Sequence, residues 1–253
     1  MTQNQREPSI RELFHSAWGR NLHIGLFEDE TLSVPQAAAA GNRRMAAFAA
    51  PSAGDRVLEV GCGFADASKL LTQEFGCHAV AVDNAPWRLS GADIAGTRDR
   101  VQLLAAEHGR LPFADRSFDL VWAAETLGYA DDLSRTISDI ARVLRPGGHL
   151  ILLEWFGSVL LSPRPILELY GASHLWPQRR WRSELAAAGF EIERFDDWTL
   201  HARGTYDRLC RIFEADAERY TTAAIAQQNM DHRLRWIDRS ALGSLMILAR
   251  KKG

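Results

Sequence analysis

Two kinds of hydrophobic spacing divide the chain. Up to about residue 50 the apolar positions recur in part at helical intervals, interrupted by the aromatic and glycine-bearing run Trp18-Gly-Arg-Asn-Leu-His-Ile-Gly-Leu-Phe27. That stretch has the pattern of a cap segment rather than of core sheet. From Arg56 onward short apolar runs alternate with helical patterns. Strands are expected at Val57–Val60, Ala79–Val82, Val101–Leu104, Phe118–Ala123 and His149–Glu154, with helices over Ala65–Phe75 and from Pro86. Short apolar runs bounded by glycine and aspartate are what parallel strands buried on both faces produce. Their repetition predicts a doubly wound α/β sheet. Arg145-Pro-Gly-Gly148 ends a helix and turns the chain into the fifth strand. After residue 160 the pattern loosens through Ser162-Pro-Arg-Pro165. It then gives a helix (Trp181–Ala188), a strand (Phe190–Phe195), a long helical region (Thr205–Trp236) and a last strand (Ser244–Ala249).

Composition narrows the partner. The 253 residues are 46% hydrophobic and 25% charged, enough for a sizeable core without disulfide staples. Thirty basic residues stand against 32 acidic ones, a net charge of −2, which removes the electrostatic footprint of a duplex nucleic-acid binder or a polybasic membrane-surface protein. A small molecule becomes the expected partner, with no nucleic acid and no membrane. Cys62, Cys77 and Cys210 form no CxxC pair, and no His, Cys, Asp and Glu cluster has metal-ligand spacing, so a metal-free cytoplasmic protein is expected. Met1–Ser9 lacks the apolar run of a secretion signal. The longest apolar stretch, His149–Leu161, is broken by Glu154 and Gly157, short of the about 18 residues a membrane span requires. Lysine occurs only at Lys69, Lys251 and Lys252, a bias expected of a GC-rich bacterial genome.

Chemistry concentrates in Val57-Leu-Glu-Val-Gly-Cys-Gly-Phe-Ala65, where two glycines follow a strand at the mouth of a helix. Glycine lets the backbone turn sharply there and approach a ligand, with amides facing it. A nicotinamide fingerprint needs a third glycine where Asp66 stands, which would set an anion beside a pyrophosphate. Asp83 ends the second strand 20 residues beyond Gly63, where a carboxylate accepts hydrogen bonds from ribose hydroxyls. Together these features suggest an adenosine-bearing cofactor without a pyrophosphate. The plainer alternative is a glycine turn and a helix-capping aspartate.

Four successive motifs carry a family resemblance: Val57–Ala65, Ala81-Val-Asp-Asn-Ala-Pro86, Glu107–Val121 and Val143-Leu-Arg-Pro-Gly-Gly-His-Leu150. Residues 55–155 resemble the cofactor half of class I S-adenosylmethionine-dependent methyltransferases, with Ala65 where a third glycine is usual and Glu107 where aspartate is common. The Trp18–Phe27 segment and the C-terminal order of elements are similar to the small-molecule branch, which includes sarcosine/dimethylglycine, tocopherol and sterol C-methyltransferases. The resemblance spans about residues 13 to 250. It implies a Rossmann-like, mostly parallel seven-stranded sheet in which residues 1–50 form an N-terminal helical lid, 51–160 the S-adenosylmethionine-binding core and 161–253 acceptor-shaping helices with the last strands. It also implies that Glu59, Gly61, Cys62 and Gly63 line the methionine end and that Asp83 and Asn84 hold the ribose. Glu107 with His108 meets the adenine, and Ala123 lends backbone near the amino group. The product is S-adenosylhomocysteine.

The acceptor is less constrained. Relatives carry a histidine at the end of the Trp122–Tyr129 stretch that can act as base, and here Gly128 and Tyr129 stand there instead. Glu125 resembles a glutamate of sterol-type C-methyltransferases that stabilises a carbocation and removes a proton; it is equally a strand-end group that binds the cofactor's amino group or caps a helix. His23 and Tyr129 are the other candidate catalytic residues, each with a packing role as alternative. Arg164, Arg179, Arg180 and Arg182 are candidates to clamp an anionic acceptor or to form a solvated face. Of the tryptophans, Trp18, Trp87, Trp155, Trp176, Trp198 and Trp236 are candidates for an apolar acceptor pocket or for the core.

The expected reaction is methyl transfer to a small specialised metabolite, at an alkene carbon of an isoprenoid-like acceptor with Glu125 as base, or at oxygen or nitrogen. A non-methylating cyclase on the same fold is a rival. A nicotinamide oxidoreductase is disfavoured by Asp66 and the lack of a Tyr-x-x-x-Lys pair, and nucleic-acid methylation by charge and the lack of an Asn/Asp-Pro-Pro-Tyr/Phe tetrad. The helices over 205–236 either cover the pocket or pair two subunits as a homodimer.

Overall fold

The computed structural model describes residues 7–157 and 174–253. By contact the chain divides into two compact units, one of residues 1–41 with 199–242, the other of residues 42–198 with 243–253. The smaller unit groups helices far apart in sequence.

The larger unit is built on a seven-stranded sheet. Its strands are β1 (Arg56–Val60), β2 (His78–Asp83), β3 (Val101–Ala105), β4 (Phe118–Ala124), β5 (Leu144–Gly157), β6 (Phe190–Asp197) and β7 (Leu242–Lys251). They lie in the order β3-β2-β1-β4-β5-β7-β6, the seven-stranded, mostly parallel Rossmann-like arrangement expected. The β1/β2, β1/β4, β2/β3 and β4/β5 pairings are parallel, and β6 runs antiparallel to β7. The order reverses between β1 and β4, and an open α/β sheet places its ligands in the crevice beyond the carboxyl ends of strands at such a point.

Burial explains why these segments are strands. All of β1 except Arg56, and β4 throughout except Asp119, are buried. One continuous core joins Leu58, Val60, Phe118 and Val121 to Ile137, Ile140, Leu150, Leu152 and Trp181. The Arg145–Gly148 turn is accommodated inside β5: Phe118 pairs with Leu144 but Leu120 already pairs with His149, so the intervening residues bulge out of register. Among the described residues, the helices of this unit are α3 (Asp66–Phe75), the short α4 (Pro86–Ser90), α5 (Leu133–Val143) and α6 (Gln178–Ala187), with the last residues of α2 (Val34–Ala49). Asp132 caps α5 by accepting the Arg135 N–H at 3.0 Å. Arg142 at the far end of α5 pins the β3–β4 connection, donating to the carbonyls of Phe113 at 2.6 Å and Leu111 at 2.9 Å.

The smaller unit is helical. It contains α1 (Ile10–Trp18), the start of α2, α7 (Thr199–Ala217) and α8 (Thr221–Asp238). The expected long helical region over 205–236 is two helices, with a break where Glu218–Tyr220 leaves the helical conformation. Ser9 and Glu12 form a reciprocal capping box on α1. Phe14 packs on Phe213 with ring centroids 5.4 Å apart, and Trp18 meets Tyr206 edge to face at 5.9 Å. The Trp18–Phe27 interruption is tied to α7 by the Gly25 N–H, which donates to buried Thr205 at 2.9 Å. Among the described residues no helix is long and apolar enough to cross a membrane, and no group of three or more His, Cys, Asp or Glu could hold a metal ion.

Candidate functional site

Three buried carboxylates, on β1, β2 and β5, organise the loops that follow the strands. Glu59 of β1, 3% exposed, accepts the Ser68 N–H at 2.9 Å and the Ser68 hydroxyl, so it closes the first turn of α3, whose own N-cap, Ala65, makes no side-chain hydrogen bond. Asp83 at the end of β2 accepts the Gly63 N–H at 2.9 Å and the Ala85 N–H at 2.8 Å, fastening the glycine loop to the next strand. The guanidinium of Arg88 lies 3.6 Å from it. Glu154 of β5 accepts the N–H groups of Thr126 at 2.9 Å and Leu127 at 2.6 Å, fixing the turn that follows β4. Burial pushes its carboxyl up from 4.5 to about 8, against the lowering effect of those backbone donors; Glu125 nearby raises it further.

The glycine loop needs its glycines. Gly61 (φ +69°) and Gly63 (φ +54°) are left-handed, and a Cβ at Gly61 would fall 1.9 Å from Thr126 Oγ1 and 2.5 Å from Thr126 Cβ. The loop after β1 and the turn after β4 are therefore in direct contact. Beyond Gly63 a Cβ would meet nothing within 4 Å, leaving that backbone open to close approach. Cys62 donates its N–H to the Val82 carbonyl at 2.9 Å, and burial, with Glu59 and Asp83 adding to it, pushes its thiol pKa far up. A protonated, buried thiol is no nucleophile.

Along 96% of its length and 94% of the relative's, the chain is 30% identical to a 27-O-demethylrifamycin SV methyltransferase of Amycolatopsis mediterranei. Residues 58–152 match the family described as Methyltransferase domain. The chain belongs to the S-adenosylmethionine-dependent methyltransferases. In fold the methyltransferase is similar to a crystal structure assigned to a sarcosine dimethylglycine methyltransferase from Galdieria sulphuraria, with a TM-score of 0.88 at 18% identity over 96% of this chain and 98% of that one. It is also similar to the (4+2) cyclase SpnF, with a TM-score of 0.79 at 24% identity over 97% of each chain.

The other expected site residues of the methyltransferase fall at the same strand ends or apart from them. Asn84 is exposed just after Asp83, and Ala123 is buried in β4 between Val60 of β1 and Leu152 of β5. Glu107 is exposed on the β3–β4 connection; the half-buried imidazole of His108 beside it has its pKa lowered by burial, which outweighs Glu107, Asp131 and Asp83. Glu125 adopts a left-handed φ of 49°, rare for a side chain of its size, and its carboxylate accepts the Trp155 indole N–H at 2.8 Å. Tyr129 is 48% exposed. His23 belongs to the helical unit, where its carbonyl accepts the Trp18 indole N–H at 2.8 Å.

The arginines divide as well. Arg180 pairs with Glu184 at 2.7 Å and Arg182 lies over the Phe195 ring at 3.6 Å, while Arg164 falls outside the described residues. Sequence reasoning missed Thr126, Glu154 and His174. Glu154 left one signal, a carboxylate inside an apolar strand, which calls for a buried partner.

Proposed function

We propose that this methyltransferase transfers the methyl group of S-adenosylmethionine to a hydroxyl oxygen of a small specialised metabolite, as the name of the 27-O-demethylrifamycin SV methyltransferase states for that enzyme. The observation that carries the reading is the extent of that similarity, 96% of this chain and 94% of the relative, which includes the segments outside the cofactor half. The strand-end residues fit the cofactor. A carboxylate has about four acceptor positions, and at Asp83 two are taken by the Gly63 and Ala85 amides, leaving others for ribose hydroxyls. The open backbone at Gly63, with Gly61, Cys62 and Glu59, would hold the methionine end; Asn84 would join Asp83 at the ribose, Ala123 would lend backbone, and Glu107 with His108 would meet the adenine. His108, kept neutral by burial, suits an uncharged base.

When bound, the sulfonium supplies an already activated methyl group. The chain's own task is then alignment and exclusion of water, plus proton removal where the acceptor needs it. The second reading, methylation of an alkene carbon, rests on Glu125, a half-buried carboxylate at the end of β4 steadied by Trp155. The test is methyl-labelled S-adenosylmethionine with a panel of 27-O-demethylrifamycin SV, phenols, amines and prenyl-type alkenes, followed by mass spectrometry. Label on oxygen that survives Glu125→Gln supports the proposal. Label on an alkene carbon that Glu125→Gln abolishes overturns it in favour of the second reading.

A further inference from the structure

We propose that His174 is the general base of this enzyme, an inference that rests on the hydroxyl-acceptor reading. The turn after β4 is where the sequence has Gly128 and Tyr129 and no histidine. The fold supplies an imidazole to that turn from a residue 46 positions beyond Gly128. The His174 N–H donates to the Gly128 carbonyl at 3.1 Å, and its Nδ1 lies 3.3 Å from the Ala130 carbonyl. A carbonyl only accepts, so Nδ1 carries the proton in this pair and the neutral ring keeps its lone pair on Nε2. The ring plane is fixed by stacking on Trp176, with centroids 4.3 Å apart and planes inclined by 15°.

The turn that His174 grips is itself immobilised. Glu154 holds the amides of Thr126 and Leu127 from the β5 side, and a Cβ at Gly128 would lie 3.5 Å from the His174 carbonyl and 3.8 Å from a Glu154 carboxylate oxygen. Thr126, two residues before Gly128, abuts Gly61 of the cofactor loop. The imidazole therefore stands beside the turn that abuts the glycine loop. Titratable groups around it are Glu125 and Glu154 at the turn, Asp131 and Asp132 just after it, and Arg180, whose guanidinium lies 5.8 Å over Trp176 and which pairs with Glu184.

In the step, the acceptor O–H bond breaks and its proton passes to Nε2. The oxygen's electron pair forms the new O–CH3 bond as the S–CH3 bond breaks, that bond's pair remaining on sulfur as neutral thioether. The imidazolium then releases the proton to solvent.

His174→Asn is the informative variant, because its side-chain amide can still donate to Ala130 while offering no base. On the acceptor that takes label in the panel above, kcat falls by about 10²–10⁴, KM and S-adenosylhomocysteine affinity change less than threefold, and the acid limb of the kcat–pH profile disappears. Label on oxygen with kcat of the variant within about threefold of wild type overturns the base assignment alone. Label only on nitrogen or carbon overturns the hydroxyl reading. Independently of any acceptor, ring nitrogen NMR of the wild-type protein should show the His174 proton on Nδ1; a proton on Nε2 overturns the proposal.

Discussion

Gly61 has no room for a methyl group. Its left-handed φ of +69° costs an L side chain about 1–2 kcal/mol, and the Cβ would strike both Oγ1 and Cβ of Thr126, which no rotation about χ1 relieves. Gly61→Ala is expected to lose about 1–3 kcal/mol to overpacking in addition, read by denaturant unfolding. Adding Thr126→Gly should restore the overpacking part and leave the φ cost; a neutral Gly61→Ala would show that the loop and the turn do not touch as described. At Asp83 the loss is of a different kind. Asp83→Ala removes an acceptor whose charge-assisted bonds are worth about 1.5–3 kcal/mol each, so S-adenosylhomocysteine should bind at least about tenfold more weakly by calorimetry. The same affinity in the variant would remove Asp83 from the site.

At the scale of elements, two residues tie the turn after β4 and the β3–β4 connection in place. The folded Glu154 carboxyl titrates near 8 against 4.5 for the ordinary group, so the folded protein holds a proton there that the unfolded chain has shed. Stability from this group is fullest below about 4.5 and declines as pH rises through about 8. Glu154→Gln, whose amide oxygen can accept the same Thr126 and Leu127 amides, should flatten that decline in unfolding measured from pH 5 to 9. An unchanged slope would assign the decline to another group. Arg142→Ala should cost about 1–3 kcal/mol because the Leu111 and Phe113 carbonyls lose their donor. Its signature is faster amide exchange confined to residues 106–117.

For the whole molecule, ligand linkage gives the broadest check: S-adenosylhomocysteine at a hundredfold excess over its Kd should add about 2.7 kcal/mol to stability. A thermal scan that does not move with ligand would contradict the cofactor site. The central strands β1 and β4 were legible in the chain because each is a short apolar run between turn residues, a composition that burial of both sheet faces demands. The glycine loop and Asp83 were legible for a similar reason, since a left-handed backbone and a strand-end carboxylate are requirements of residue type at a local spacing. What the pattern could not show is pairing across sequence. It gave no partner for Glu154, no contact between Gly61 and Thr126, no imidazole at the Gly128 turn, and no boundary between α7 and α8. Local propensity and hydrophobic period act over a few residues and so determined the elements and the glycine loop by themselves. The hydrogen bonds of Glu154 and His174 join residues 27 to 46 positions apart, and only the folded sheet, by setting strand ends side by side, decided them.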